Sequence, residues 1–414
     1  MAVHGQAGGT WQQLGQDIDG EAADDLSGSS VSMSADGRTV AIGADLNDGN
    51  GNLSGHVRIY IFNGSAWQQL GQDIDGEARG DYSGSSVSMS ADGRTVAISA
   101  PYNDGDGIAS GHVRIYTFNN NEWQQLGQDI DGEVADHFYG MPHSISVSIS
   151  ADGRTVAVGA PYNDGNGMDS GHVRIYSFDG NEWRQLGQDI DGEAVADYSG
   201  WSVSMSADGR TLAIGAWGNG AYANGGGDLG LVRIYTFNSG EWQQLGQDIN
   251  GEAGGDRSGH SVSMSADGQT VAIGAILNDD NRESSGHVRI YTFNGSAWQQ
   301  IGQDIDGEAV SDYSGTSVSM SADGRTVAIG ARSNDGNGER SGHARIYTFN
   351  GSSWQQIAQD IDGEAVADNS GWSVSMSADG RTVAVGAPYN DDNGIDSGHV
   401  QIYRLVNSAP VTEA

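Results

Sequence analysis

Carboxylates repeated at a fixed spacing are the residues of this sequence best suited to chemistry. One copy of the recurring Asp-Ile-Asp-Gly-Glu segment supplies Asp73, Asp75 and Glu77, and Asp81 follows shortly after. Carboxylate oxygens beside tight glycine turns are ligands that Ca²⁺ prefers. Aspartates in turns also accept hydrogen bonds from backbone amides, and regular repetition favours that structural role. Both roles stay open for these four residues and their repeat equivalents, with Ca²⁺ as the one cofactor predicted.

Two insertions interrupt the otherwise regular sequence, and their side chains are the candidates for a ligand site. These candidates are His137, Phe138, Tyr139 and His143 in the first insertion, and Trp217, Tyr222, Asn224 and Asp228 in the second. Exposed aromatic rings beside Asn and Asp suit sugar rings or a protein partner. Neutral drift of surface loops is the alternative explanation of both insertions.

Histidines recur at one position of the repeat, at His56, His112, His172, His287, His343 and His399, with Leu231 in the remaining copy. One histidine per repeat unit would place these side chains far apart around a ring. We therefore expect them to form structural hydrogen bonds rather than to share a metal ion.

Signatures of catalysis are weak. A hydrolase needs a unique carboxylate pair or a nucleophile with its base, whereas nearly every acid here recurs in all copies. We therefore expect no enzyme but a non-catalytic binding or adhesion protein that takes a protein or glycan ligand. A purely structural repeat of a larger surface assembly is the alternative, and a glycan-active hydrolase or lyase is a third hypothesis.

A sevenfold repeat determines the elements that would position these residues. The Trp of the segment Trp-Gln-Gln-Leu-Gly-Gln recurs at 11, 67, 123, 183, 242, 298 and 354, and an Ala-Asp-Gly turn follows each time. Each unit contains four short runs rich in β-branched and aromatic residues, without helical periodicity. Four-stranded units repeated radially form a β-propeller.

Side-chain size and the chain ends favour a closed ring over a linear solenoid. Bulk rises from the first strand of each unit to the fourth, as it must where blades converge on an axis. The last unit lacks its Trp-Gln-Gln strand, and Trp11 to Gln16 supply that missing piece at the N-terminus. We predict an all-β fold: one seven-bladed β-propeller of four-stranded antiparallel blades over residues 1–407, closed by the N-terminal strand, with residues 408–414 as a tail.

Strand alternation sorts the loops by face. The loop before each first strand and the loop between the second and third strands share one face, here called the top face. Both insertions and the acidic segments fall on it, the insertions in blades 3 and 4. The predicted ligand site is therefore on an acidic top face near blades 3 and 4.

The overall charge limits the class of partner. The chain has 55 acidic residues against 19 basic ones, all of them Arg, for a net charge of −36. Such a surface repels nucleic acid and anionic lipid, so we expect no nucleic-acid partner. No apolar run approaches the length of a membrane span, so we expect no membrane insertion. Residues 1–10 lack a signal-peptide pattern, so export would need a removed signal or another route.

The repeated residues resemble a known family. Ser-Gly before a Ser-Val strand at Ser83-Gly84, Gly-Ala-Pro at 159–161 and 386–388, and a Gly-His-Val-Arg-Ile-Tyr strand resemble the FG-GAP repeat of integrin α-subunit propellers. The resemblance covers all seven units. It implies a seven-bladed propeller, adhesion or ligand binding, and an extracellular or cell-surface location.

One departure from that family concerns calcium. The family's calcium motif, Asp-x-Asp-x-Asp-Gly, occupies the hairpin between the first and second strands. Here that hairpin is only Ala-Asp-Gly-Arg, and one Asp cannot supply six to eight oxygens. Any calcium would therefore have to use other loops.

Overall fold

Seven antiparallel sheets make up the protein. The computed structural model describes residues 9–104, 110–132, 145–219 and 227–407, and within these ranges it contains strands and turns but no helix. In the same part of the chain, no helix is long and apolar enough to cross a membrane. The predicted all-β, seven-bladed propeller is confirmed.

The strands follow one another blade by blade. Blade 7 is completed by β1 (Gly9–Gln13) and β2 (Ile18–Asp19). Blade 1 comprises β3 (Ser30–Met33), β4 (Thr39–Ala44), β5 (His56–Phe62), β6 (Trp67–Gln69) and β7 (Ile74–Asp75). Blade 2 comprises β8 (Val87–Met89), β9 (Thr95–Ala100), β10 (His112–Asn119), β11 (Glu122–Gln125) and β12 (Ile130–Asp131). Blade 3 comprises β13 (Ser146–Ile149), β14 (Thr155–Ala160), β15 (His172–Phe178), β16 (Trp183–Gln185) and β17 (Ile190–Asp191).

The remaining four blades repeat this plan. Blade 4 comprises β18 (Ser202–Met205), β19 (Thr211–Ala216), β20 (Leu231–Asn238), β21 (Glu241–Gln244) and β22 (Ile249–Asn250). Blade 5 comprises β23 (Ser258–Met264), β24 (Thr270–Ala275), β25 (His287–Phe293), β26 (Trp298–Gln300) and β27 (Ile305–Asp306). Blade 6 comprises β28 (Ser317–Met320), β29 (Thr326–Ala331), β30 (His343–Phe349), β31 (Trp354–Gln356) and β32 (Ile361–Asp362). Blade 7 adds β33 (Ser373–Met376), β34 (Thr382–Ala387) and β35 (His399–Asn407).

The outer strand of each blade is broken into two pieces. In blade 1, β6 pairs with the far end of β5, and β7 pairs with its beginning. Between the two pieces Gly71 adopts φ 81°, a left-handed conformation that glycine accepts without strain. Each blade is therefore four strands wide, with the acidic segment held against the start of the third strand.

Polar side chains tie the innermost strands into a closed ring. In each blade, a backbone amide of the innermost strand donates a hydrogen bond to a serine hydroxyl of the preceding blade. For example, Met89 N donates to Ser32 Oγ at 2.9 Å. The equivalent hydrogen bond is present in every blade. The bond from Met33 N to Ser375 Oγ, at 2.9 Å, joins blade 1 to blade 7 and completes the ring. This explains why serine alternates with apolar residues in the inner strands.

The N-terminal strand completes blade 7. In β1, Trp11 pairs with Leu405 of β35 in antiparallel register, and Trp11 Nε1 donates to Ile357 O of blade 6 at 3.1 Å. The equivalent Trp67 donates to Leu14 O in the same way. The predicted closure is therefore present, and the start of the chain joins both blade 7 and its neighbour.

The hydrophobic core lies between neighbouring blades rather than at the axis. Between blades 1 and 2, Val57 and Ile59 pack against Val96, Ile98 and Trp123, and six further clusters repeat this arrangement. Where the blades come closest, only glycine fits: a Cβ on Gly43 would lie 2.1 Å from Gly84 O.

Candidate active site around the axis

Six of the candidate ligand residues predicted from the insertions lie outside the described residues. They are His137, Phe138, Tyr139, His143, Tyr222 and Asn224. Of the other two, Asp228 presents its backbone carbonyl to the amides of Gly255 and Arg257, each at 3.2 Å. Trp217 follows strand β19 on the top face and is half-buried, at the end of the strand next to the innermost one.

Trp217 belongs to a stack of aromatic rings. Its indole lies parallel to the ring of Tyr198, with centroids 4.8 Å apart. The edge of Trp201 meets Trp217 at 5.4 Å, and Tyr162 contacts Tyr198 at 5.5 Å. The guanidinium of Arg257 lies over the Trp217 ring at 4.5 Å from its centroid. Aromatic faces in this number favour the apolar face of a ring-shaped ligand.

A second arginine–aromatic group lies two blades further round the axis. The guanidinium of Arg332 is 4.5 Å from the ring centroid of Trp372 and 5.7 Å from that of Tyr313. Trp372 also contacts Tyr389. Burial lowers the pKa of Arg332. The ionisable groups that act on it are Tyr313, Tyr389 and Arg340, and no carboxylate of the described residues is among them. Arg332 therefore keeps capacity to bind an anion.

His260 lies between these two groups. Its imidazole is 5.9 Å from the ring of Trp201 and lies near the backbone of Thr316. Burial, followed by the positive charges of Arg332 and Arg257, lowers the pKa of His260 to about 3. The ring is therefore neutral at pH 7 and can accept a proton. A bound anion would offset the two arginines and make the imidazole more basic.

These side chains form one group, which we call the axial cluster. Its members are Tyr162, Tyr198, Trp201, Trp217, Arg257, His260, Tyr313, Arg332, Trp372 and Tyr389. All are half-buried and lie at the top ends of the two inner strands of blades 3 to 7, or in the loops beside them. The cluster is aromatic and basic in a strongly acidic protein.

Comparison of the seven copies singles out five members of the axial cluster in the sequence, although it does not show that they meet. The residue that follows the Ser-Gly pair is Ser29, Ser85, Trp201, His260, Thr316 or Trp372. In blade 3, which lacks the pair, Ile145 occupies this position. The residue after Gly-Ala or Ser-Ala is Asp45, Pro101, Pro161, Trp217, Ile276, Arg332 or Pro388. The strands beside these positions hardly change. Variation confined to the top of the inner strands is the signal, and of these positions only Trp217 also lies at an insertion.

The four carboxylates predicted to bind calcium do not converge on one point. Asp81 is buried and accepts hydrogen bonds from Ala78 N at 2.9 Å and Asn103 Nδ2 at 3.1 Å. Asp73 lies with Glu21 and His56, whereas Glu77 lies with His112 and Asp129. Burial, followed by the charge of Asp73, raises the pKa of Asp75. Binding of Ca²⁺ by these residues stays a prediction.

Solved structures with the same architecture include two lactonases. One is a Bacteroides uniformis protein provisionally named a 6-phosphogluconolactonase, similar over 91% of this chain and 94% of that chain, with TM-score 0.59 and 13% identity. The other is the periplasmic gluconolactonase of Pseudomonas aeruginosa, similar over 81% of this chain and 85% of that chain, with TM-score 0.55 and 17% identity. At this identity the likeness concerns the fold. No curated protein sequence matches the chain.

The expectation of a non-catalytic binding or adhesion propeller that is not an enzyme is wrong against this comparison, since both similar propellers are named as lactonases. The expectation rested on the sevenfold repetition of the acids. It overlooked Arg257, His260 and Arg332, which are not repeated and lie in the loops and strand ends of blades 5 and 6 around the axis.

The repeat itself is identified by sequence. Residues 250–291, 305–347 and 356–403 each match the family model described as the FG-GAP repeat. These segments span most of blades 5, 6 and 7, and the resemblance expected from the Ser-Gly and Gly-Ala-Pro residues is confirmed there. The protein is thus a seven-bladed β-propeller in which FG-GAP repeats are found in three segments.

Proposed function

We propose that this protein hydrolyses the lactone of a sugar acid, with the substrate bound on the axial cluster. The observation that carries the proposal is the placing of His260 between Arg257 and Arg332 among half-exposed aromatic rings. The names of the two similar propellers support the reaction class.

Each part of the axial cluster would have its own task. The rings of Trp201 and Trp372 would contact the sugar ring. Water attacks the lactone carbonyl carbon, the carbonyl oxygen becomes an oxyanion, and the bond from that carbon to the ring oxygen then breaks. Arg332 and Arg257 would stabilise the oxyanion and then the product carboxylate. His260 would take the proton of the attacking water and return it to the departing ring oxygen.

The setting proposed is outside the cytoplasm. The Pseudomonas aeruginosa relative in structure is named as periplasmic, FG-GAP repeats are present, and the chain has no cysteine to be oxidised. The proposed ligand is a small sugar derivative. Nucleic acid is a poor candidate because the net charge of −36 repels it.

The test uses substitutions that the repeat itself contains. Arg332→Ile installs the residue that blade 5 has at Ile276, and His260→Thr installs the residue of blade 6 at Thr316. Hydrolysis of glucono-1,5-lactone and of its 6-phosphate is followed in a pH-stat, with the spontaneous rate subtracted. We expect kcat/KM to fall about 10²- to 10³-fold for Arg332→Ile and at least about 10²-fold for His260→Thr.

The control is Arg325→Gln, which removes an exposed arginine from the opposite face of blade 6 and copies Gln269 of blade 5. This variant should keep the wild-type rate. The two substrates distinguish a site that needs a phosphate from one that does not. A wild-type rate no faster than buffer on both lactones, or undiminished rates in both site variants, would refute the proposal.

A further inference from the structure

Four side chains from the two ends of the propeller point at one another where the ring closes. Asp17 lies between β1 and β2, Asp19 lies in β2, Asp392 lies in the loop before β35, and His399 opens β35. One ligand atom from each lies within 4.8 Å of the ligand atoms of all the others. In particular, His399 Nδ1 is 3.8 Å from Asp392 Oδ2.

The burial of His399 adds an independent observation. Only 2% of the residue is exposed, and its Nδ1 has no hydrogen-bond partner among the described residues. A buried polar atom is stable only when it is paired. The atom faces Asp392, so a cation placed between them would satisfy the imidazole and the carboxylate together.

The charge balance differs from that of the other blades. Six blades carry an arginine two residues after the first residue of the third strand, for example Arg289, whose Nη1 is 3.3 Å from Glu252 Oε1. In blade 7 this position is Gln401, which donates instead to Asp17 Oδ1 at 3.2 Å. Arg58 of blade 1 is the guanidinium that acts on Asp19. Arg58 also pairs with Glu21 at 3.4 Å, so the three carboxylates keep an excess of negative charge that a divalent cation would offset.

Asp392 is also a departure from the repeat. Blades 1, 3 and 6 have glycine at this position, at Gly49, Gly165 and Gly336. Blade 5 has Asp280, and there a second group of three carboxylates and one histidine forms from Glu252, Asp280, His287 and Asp304. His287 is 1% exposed, and its Nδ1 likewise has no hydrogen-bond partner in the described part of the chain. In blades 2 and 6, which have glycine at this position, the histidine nitrogen without a partner among the described residues is Nε2. The extra aspartate thus coincides twice with a histidine whose Nδ1 lacks a partner in that part of the chain.

We propose that Asp17, Asp19, Asp392 and His399 bind a divalent transition-metal ion such as Zn²⁺ or Mn²⁺, and that Glu252, Asp280, His287 and Asp304 form a weaker site of the same kind. One imidazole nitrogen with three carboxylates suits these ions, whereas Ca²⁺ prefers oxygen ligands alone. Four ligand atoms within 4.8 Å of one another surround a point at most about 3 Å from each, so each atom would move inward by up to about 1 Å to reach the usual 2.0–2.2 Å. Arg289 weakens the blade 5 site by competing for Glu252.

Binding of a metal ion by Asp17, Asp19, Asp392 and His399 would stabilise the closed ring. Two of its ligands belong to the N-terminal segment and two to the C-terminal unit, so the ion would join the pieces that complete blade 7. An ion that binds only the folded state raises the midpoint of unfolding. Binding should therefore stabilise the closed propeller, independently of any activity at the axial cluster.

The test is a titration of the full-length chain after removal of metals with a chelator. Zn²⁺ binding is measured by calorimetry, and Co²⁺ binding by its visible absorption, which reports the ligand set. Asp392→Gly recreates the residue of blades 1, 3 and 6, and His399→Leu recreates Leu231 of blade 4, so the fold has precedents for both. We expect two sites in the wild type and a loss of affinity of about tenfold or more at the tighter site in either variant.

The matched control is Asp379→Asn, which removes one negative charge from an exposed hairpin on the opposite face of blade 7. It should bind as the wild type does, and Zn²⁺ should raise its unfolding midpoint equally. The absence of Zn²⁺, Mn²⁺ and Co²⁺ binding in the wild type would overturn the proposal. So would unchanged binding in both variants, or a site that takes Ca²⁺ but none of the three transition metals.

Discussion

Single residues show how the repeat uses buried histidine. The histidine that opens the third strand is almost fully buried in the described blades that carry it. In blade 1, burial and the neighbouring Arg58 outweigh the attraction of Asp73 and lower the pKa of His56 to about 4. His56 is therefore buried as a neutral ring. The prediction that these histidines serve hydrogen bonding was incomplete, because it ignored the two carboxylates that lie beside several of them.

The lowered pKa of His56 predicts a pH dependence of stability. The unfolded chain takes up the proton near pH 6.5, whereas the folded chain does so only near pH 4. The contribution of His56 is thus complete above pH 6.5 and is lost as the pH falls toward 4, to a limit of about 3 kcal/mol. We expect His56→Leu, which copies Leu231, to unfold with a shallower loss of midpoint between pH 7 and pH 4.5. Circular dichroism melts at several pH values measure this, and an unchanged slope would contradict it.

At the scale of elements, strand β1 decides whether the ring is closed. It pairs with β35 along five residues, and Trp11 is buried between blades 6 and 7. Without β1, strand β35 would present an unpaired edge, and such edges pair with other chains. The segment therefore protects the protein from association as well as stabilising it.

Removal of residues 1–16 should destabilise the protein and cause self-association. Burial of a tryptophan alone accounts for about 3–5 kcal/mol, and the exposed edge of β35 should recruit a second chain. We expect a lower unfolding midpoint, together with concentration-dependent oligomers in light scattering. Removal of residues 1–8 alone leaves β1 in place and serves as the control. A shortened chain without residues 1–16 that stayed monomeric and equally stable would show that β1 does not hold the ring.

For the whole molecule, charge is the dominant feature. A net charge of −36 on 414 residues means that acidic groups repel one another across the surface. The arginines of the third strands relieve this locally, as Arg58 does with Glu21 at 3.4 Å. The axial cluster stands out against this background because aromatic rings, and no carboxylate of the described residues, surround Arg332.

Salt should therefore stabilise the protein. Raising the ionic strength from about 0.01 M to about 0.15 M shortens the screening length from about 30 Å to about 8 Å. Long-range repulsion weakens more than the close ion pairs do, so the unfolding midpoint should rise. Melts in increasing NaCl after chelator treatment measure this without a contribution from bound metal. A midpoint that falls with NaCl would mean that ion pairs outweigh the repulsion.

The candidate site depends on contacts between residues that are far apart in the sequence. Trp217 was found because it lies at an insertion, but Arg257, His260 and Arg332 lie in loops and strands of ordinary length. They become a group only because blades 5 and 6 bring their inner strands side by side. The clusters around His287 and His399 were missed for the same reason, since the ligands of each come from separate segments of the chain, and those around His399 come from its two ends.

The sequence by itself determined the architecture of this protein. The features that predicted the fold are local or repetitive, so each can be recognised from consecutive residues. They are strand alternation, the Ala-Asp-Gly turns, the rise in side-chain bulk and the displaced Trp11 strand. The tertiary structure alone decided the sites. Side chains far apart in sequence meet when seven blades are arranged around an axis, and their spacing depends on ring geometry rather than on any local pattern. That is why the fold was predictable, whereas the axial cluster and the histidine–carboxylate groups were not.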